Sequence, residues 1–280
     1  MTPIPAEAPT ADEILGRGAG PTYRVASLLF PKAIRPHLVN VYAFGKFLDR
    51  LGDDAPGDRL AHLDWLSGEL DAIYCGDRPE HALMGRLATT VRRFDLPRAP
   101  FDRLVEANRL DQTVLRYETF DELRDYCVIA TNPVGELVLR VLGAATPRRL
   151  ELADAVCTGL QLVDVLRDVD DDAARGHIYL PLRDMERCRY RADELIAGVR
   201  DERFRALMRL TAHRSRTLLR EGKGLAHTLS GRLALAARVF VAVGLGSLGE
   251  LERSGFKDSG RAAWITTLPG VWDCLRAFAR

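Results

Sequence analysis

Cysteine is scarce and unorganised in this chain. The five residues (Cys75, Cys127, Cys157, Cys188 and Cys274) among 280 are odd in number and scattered, without the spacing of a metal site. That excludes a disulfide scaffold and reads as the reduced thiols of a cytosolic protein. An excess of one charge is also lacking: 40 Lys+Arg against 39 Asp+Glu leave a formal net charge of +1. No global field draws such a chain to nucleic acid. Strand-type alternation is almost absent. The N-terminal MTPIPAEAPTADE has neither the basic start nor the apolar stretch of a signal peptide. The longest apolar stretch, residues 233–249, is interrupted by Arg238 and falls short of the roughly 20 residues of a bilayer span. The expectation is a soluble, cytoplasmic chain with no transmembrane segment, for which peripheral contact with a membrane surface stays open.

What is present is 47% hydrophobic and 28% charged residues, too apolar for a disordered tail and sufficient for a large core. Helical periodicity dominates after residue 20. Leu38, Val41, Tyr42, Gly45 and Leu48 recur at helical spacing, as do Leu152, Ala155, Val156, Gly159, Leu160 and Val163. Residues 205–253 read as two long helices divided around Gly222 and Gly224. Single prolines punctuate the helical runs, and no linker divides the chain. The spacing predicts a loose arm over residues 1–20 and one all-α domain over 21–280, with roughly eight to ten helices.

The acids are not spread evenly. Asp49, Asp53 and Asp54 end the helix that begins near His37, and Asp164, Asp168, Asp170, Asp171 and Asp172 crowd a second segment. Asp49 and Asp53, four residues apart, fall on one face of an α-helix. At 3.6 residues per turn, Asp164, Asp168, Asp171 and Asp172 share an arc of about 100°. Gln161 lies inside that arc and Arg167 beside it, with Leu162, Val165, Leu166 and Val169 opposite. One Asp-rich stretch is most often a solvated face. Two DxxxD sets, each backed by apolar residues, need a compensating cation, because like charges at this spacing repel. Carboxylates without His or Cys suit a hard ion, above all Mg²⁺, which in turn binds phosphate. Such a pair of acid helices could hold a diphosphate and stabilise its departure. Tyr117, Phe120 and Tyr126 read as core at least as readily as a wall for a cation. The GLGSLG stretch at 244–249 follows no strand and has the wrong spacing for a dinucleotide fingerprint, so no NADPH site is evident.

At these residues the chain resembles the squalene/phytoene synthase family of Mg²⁺-dependent trans-prenyltransferases. The similarity is carried by VASLLFPKAIRPHLVNVYAFGKFLDRLGDD, NRLDQTVLRYETFDELRDYC, ATNPVGELVLRVLG and QLVDVLRDVDDDAARGHIYLPLRDM. The segment RYETFDELRDYC with NPVGELVL looks most like the bacterial hydroxysqualene synthase branch. The resemblance implies an all-α isoprenoid synthase fold, a single helical bundle around a central cavity with two facing aspartate motifs. By position it implies catalytic and metal-binding roles for Asp49 and Asp53 in the first motif and for Asp164, Asp168 and Asp172 in the second. It implies substrate or diphosphate contacts for Ser27, Lys46, Gln161, Arg167 and Tyr179, and a place near the cation for Tyr126. Several positions depart from the family pattern: Arg50 replaces a second acid, Lys46 an Arg, Asp164 an Asn and Phe240 a Tyr. Two acceptors therefore stay open for the prenyl cation. One is a second prenyl diphosphate, giving a squalene or hydroxysqualene type of product. The other is a small aromatic such as an indole or carbazole, with dimethylallyl diphosphate or a similar donor.

Overall fold

The computed structural model describes Thr10 and residues 30–256. Ser27, Cys274 and the predicted N-terminal arm, Thr10 apart, lie outside the described residues. Twelve α-helices and one π-turn make up the described part, with no strand among them. The chain packs as two compact units, the first holding residues 30–114 and 129–150, the second 115–128 and 151–256.

The first unit is built on α1 (Arg35–Asp49), which runs into a π-turn (Arg50–Asp54). α2 (Arg59–Cys75), α3 (Ala82–Phe94), α4 (Ala99–Asp111) and α6 (Asn132–Val141) complete it. Pro36, Pro100 and Pro133 stand in the first turns of α1, α4 and α6, where a missing N–H costs nothing. Asp58 caps α2 by accepting from the Ala61 amide at 3.1 Å. Phe44, Phe47, Leu51, Leu63, Leu66, Met84 and Phe101 have no solvent exposure. Phe44 meets Phe101 edge to face at 5.2 Å, a geometry that adds to the burial of both rings.

In the second unit lie most of α5 (Phe120–Ala130) and α7 (Pro147–Arg167), with the short helices α8 (Val169–Ala174), α9 (Leu182–Arg187) and α10 (Ala192–Ile196). Two long helices, α11 (Glu202–Thr228) and α12 (Gly231–Arg253), pack on each other. The short helices raise the total above the number the periodicity predicts. Asp201 caps α11 by accepting from the Arg203 and Phe204 amides. α11 does not divide at Gly222 and Gly224, as the sequence suggested, but runs through them and ends at Thr228. Those glycines serve close approach: a Cβ on Gly222 would lie 2.4 Å from Val156 Cγ2, and one on Gly244 of α12 would lie 2.8 Å from Leu160 Cδ2. By length and composition α12 could cross a membrane, and half of its apolar window is buried within the fold.

Candidate active site

In the first unit, α1 carries Lys46 and Asp49 on its exposed last turn, above buried Phe47 and Leu48. Lys46 Nζ donates to Asp49 Oδ2 at 2.9 Å. Asp53, also exposed, does not continue the α-helix. The Ala55 amide bonds the Arg50 carbonyl at 2.8 Å, five residues back, so the turn is π-helical. The α-helical hydrogen bonding that the spacing predicts therefore stops at Asp49 and gives way to a π-turn that contains Asp53. Single π-turns inside helices recur at functional sites. α4 supplies the reason for this one. Gln112, just beyond its end, donates Nε2 to the Gly52 carbonyl at 3.1 Å and to the Asn108 carbonyl at 3.0 Å. Gly52 lies so close to Asn108 that a Cβ would come within 2.4 Å of its Oδ1. A side chain there would have to push the Asn108 amide aside.

In the second unit, α7 ends at Arg167 and α8 begins at Val169, with Asp168 at the break (φ −96°, ψ 10°). Hydrogen bonding of α-helical register crosses that break, since the Asp168 amide bonds the Asp164 carbonyl and the Asp172 amide bonds the Asp168 carbonyl, both at 2.8 Å. Asp164, Asp168 and Asp172 thus stay on one stripe, and all three are half-buried, whereas Asp170 and Asp171 are exposed. Asp170 is taken up by an ion pair with Arg200. Leu162, Val163, Val165, Leu166 and Val169 are buried behind the stripe. Gln161 is half-buried one turn before Asp164.

Arg167 ties the stripe together. It pairs with Asp164 at 2.7 Å and takes Asp168 bidentately, Nε to Oδ1 at 2.8 Å and Nη2 to Oδ2 at 2.5 Å. Burial pulls its pKa down, but the hydrogen bond to Asp168 and the charges of Asp164 and Asp168 outweigh burial and leave it raised.

A second feature was only partly visible in the sequence. Residues 115–118 lie alongside residues 176–183. The Ile178 amide bonds the Leu115 carbonyl at 3.0 Å, and the Leu182 amide bonds the Tyr117 carbonyl at 2.9 Å. Arg116 closes this clasp by donating to the Leu115 carbonyl at 2.7 Å and to the Gly176 carbonyl. The clasp gathers three tyrosines that are distant in sequence. Tyr117 lies 5.4 Å from Tyr126 and 5.8 Å from Tyr179, and Tyr126 lies 5.7 Å from Tyr179, between ring centroids. His177 stacks on Tyr179 at 5.8 Å, and burial, then Arg116 and Arg175, lower its pKa. Tyr126 and Tyr179 were candidates from the sequence; Tyr117 joins them. In the sequence Tyr117 reads chiefly as core, beside Phe120 and Tyr126.

Among the described residues, no three side chains of His, Cys, Asp or Glu form a ready metal centre. The donor chemistry nonetheless fits a hard divalent ion, since the stripe offers carboxylate oxygens alone. Asp164 and Asp168 already hold a cation between them, the guanidinium of Arg167.

Solved structures share this architecture. The squalene synthase HpnC from Alicyclobacillus acidocaldarius is 37% identical, with a TM-score of 0.80 over 84% of this chain and 89% of its own. A dehydrosqualene synthase, 21% identical, has the same fold, with a TM-score of 0.85 over 96% of this chain and 93% of its own. The protein is a prenyltransferase of the all-α isoprenoid synthase fold. The phytoene synthase of Arthrospira platensis is 35% identical over 74% of this chain and 72% of its own. The 15-cis-phytoene synthase of Synechocystis is 30% identical over 91% and 81%. With the squalene/phytoene synthase model matching residues 17–267, the chain belongs to the squalene/phytoene synthase family.

Proposed function

We propose that the chain joins two allylic prenyl diphosphates head to head in a Mg²⁺-dependent reaction, with C15 donors giving a C30 product. The observation that carries this reading is the second motif, where three half-buried carboxylates stay on one stripe through a helix break and two of them hold the Arg167 guanidinium. The likeness to a bacterial squalene synthase supports the donor length.

Asp49 and Asp53, with Asp164, Asp168 and Asp172, would hold the metal ions. Bound Mg²⁺ would neutralise diphosphate charge and favour its departure. Arg167 can turn from Asp164 and Asp168 to a diphosphate oxygen, and Lys46 can do the same from Asp49. Gln161 adds an amide donor beside Asp164. The C–O bond of the first donor breaks, and its electron pair leaves on diphosphate. The double bond of the second chain supplies the pair for the new C–C bond, and a proton is lost. Tyr117, Tyr126 and Tyr179 present ring faces that stabilise a carbocation and keep water away. Loss of the second diphosphate and capture by water would end the sequence as an alcohol.

The alternative acceptor is a small aromatic. Two of the departures that favoured it have partners within the fold: Lys46 pairs with Asp49, and Asp164 with Arg167. The likeness to a squalene synthase and to phytoene synthases supports the prenyl acceptor over the aromatic one. The test is Mg²⁺-dependent pyrophosphate release from farnesyl diphosphate. Release should be lost in Asp49→Ala and in Asp168→Ala, and its survival in both variants would overturn the site.

A further inference from the structure

The first unit contains a cavity of about 630 Å³ between residues 76–81 and one face of α3. Its lining positions on α3, from Ala82 through Arg86 to Arg92, follow helical spacing along a single face. The facing loop is firmly held. Glu69, 3% exposed, accepts from the Glu80 amide at 3.0 Å and from the His81 amide at 2.8 Å. His81 stacks on Phe47 at 4.5 Å, which fixes the cavity wall to α1. Three arginines line this concave surface: Arg78, Arg86 and Arg92. Elsewhere in the unit Arg98, Arg103, Arg109 and Arg140 each hold a carboxylate. Arg78, Arg86 and Arg92 hold none, although Asp77 and Glu80 line the same cavity. α3 itself, ALMGRLATTVRRF, contains no acid.

We propose that this cavity is a second oxyanion site, which takes a phosphate or diphosphate group without metal and apart from the aspartate motifs. Guanidinium forks match phosphate oxygens two at a time. Three of them outnumber the two carboxylates, and Gly85 leaves open space at the floor, with nothing within 4 Å of where a Cβ would stand. The phosphate could be free, as in the diphosphate that the proposed reaction releases, or part of a lipid headgroup.

The full chain in EDTA is titrated calorimetrically with inorganic pyrophosphate. In a second arm it is sedimented with phosphatidylglycerol-containing vesicles against phosphatidylcholine vesicles alone. EDTA removes the metal that the aspartate motifs would need. Arginine-dependent binding of pyrophosphate identifies a free-phosphate site, and binding of the anionic vesicles alone identifies a headgroup site. In either case Arg86→Ala with Arg92→Ala should weaken binding about tenfold or more. Gly85→Glu, which places a negative charge in open space, should abolish it. Absence of binding in both arms overturns the proposal, as does binding indifferent to the arginines and to Gly85→Glu. Neither result bears on Mg²⁺-dependent pyrophosphate release, which tests the aspartate motifs separately.

Discussion

Arg167 decides how the second motif behaves in the absence of substrate. Its guanidinium pairs with Asp164 and Asp168, so in the proposed reaction a metal ion and a diphosphate would together replace it. Arg167→Ala is therefore expected to lower the Mg²⁺ concentration for half-maximal activity while cutting turnover by roughly 100-fold, through loss of a phosphate contact. A Mg²⁺ titration of steady-state rates reads both effects. Arg167→Lys should recover only part of the turnover, because a point charge cannot reproduce the bidentate fork. The cysteines give a second prediction at this scale. Burial pushes the Cys127 thiol up to about 12, whereas Cys75 is exposed. Thiol titration at pH 8 should modify Cys75 rapidly and leave Cys127 untouched until the chain unfolds. The aspartate stripe was legible in the sequence because helical spacing and an apolar back face define it. The tyrosine cluster was not, because Tyr117 and Tyr179 meet only through backbone pairing between distant segments.

Among the elements, the π-turn after α1 is the one that local sequence could not announce. FLDRLGDD reads as a continuing α-helix, and the register changes because a side chain remote in sequence, Gln112, takes the Gly52 carbonyl. Gln112→Ala should cost about 1 kcal/mol of stability, the usual worth of such a bond, and should raise the Mg²⁺ requirement. Gly52→Ala should cost more, about 1–3 kcal/mol, since its Cβ would force Asn108 aside. Chemical denaturation with parallel Mg²⁺ titrations checks both. Gly222 shows the opposite case, a residue plain in the sequence but misread as punctuation. Gly222→Ala should cost about 1–3 kcal/mol, and Val156→Ala in the same chain should restore part of it by removing the Cγ2 it would meet.

For the whole molecule, Tyr74, Tyr190 and the buried Cys127 set the alkaline limit, and burial raises Tyr74 above the other two. Burial raises Cys127 to about 12, and burial with the charges of Glu194 and Asp201 raises Tyr190 to about 12 as well. The fold keeps protons that the unfolded chain gives up. Stability should therefore be unaffected by these groups below their unfolded pKa values and should fall as pH rises from about 9 towards 12. Denaturation midpoints across that range provide the check. The all-helical class and the family were both legible from patterning and motifs; the partners of Lys46 and Asp164 were not, because only the folded chain brings them together. The most direct measurement is product analysis by mass after incubation with Mg²⁺ and farnesyl diphosphate, with and without indole or carbazole. The account predicts a C30 product in both incubations, with pyrophosphate release abolished by Asp168→Ala. A prenylated aromatic as the sole product, or release unchanged in the variant, would contradict it.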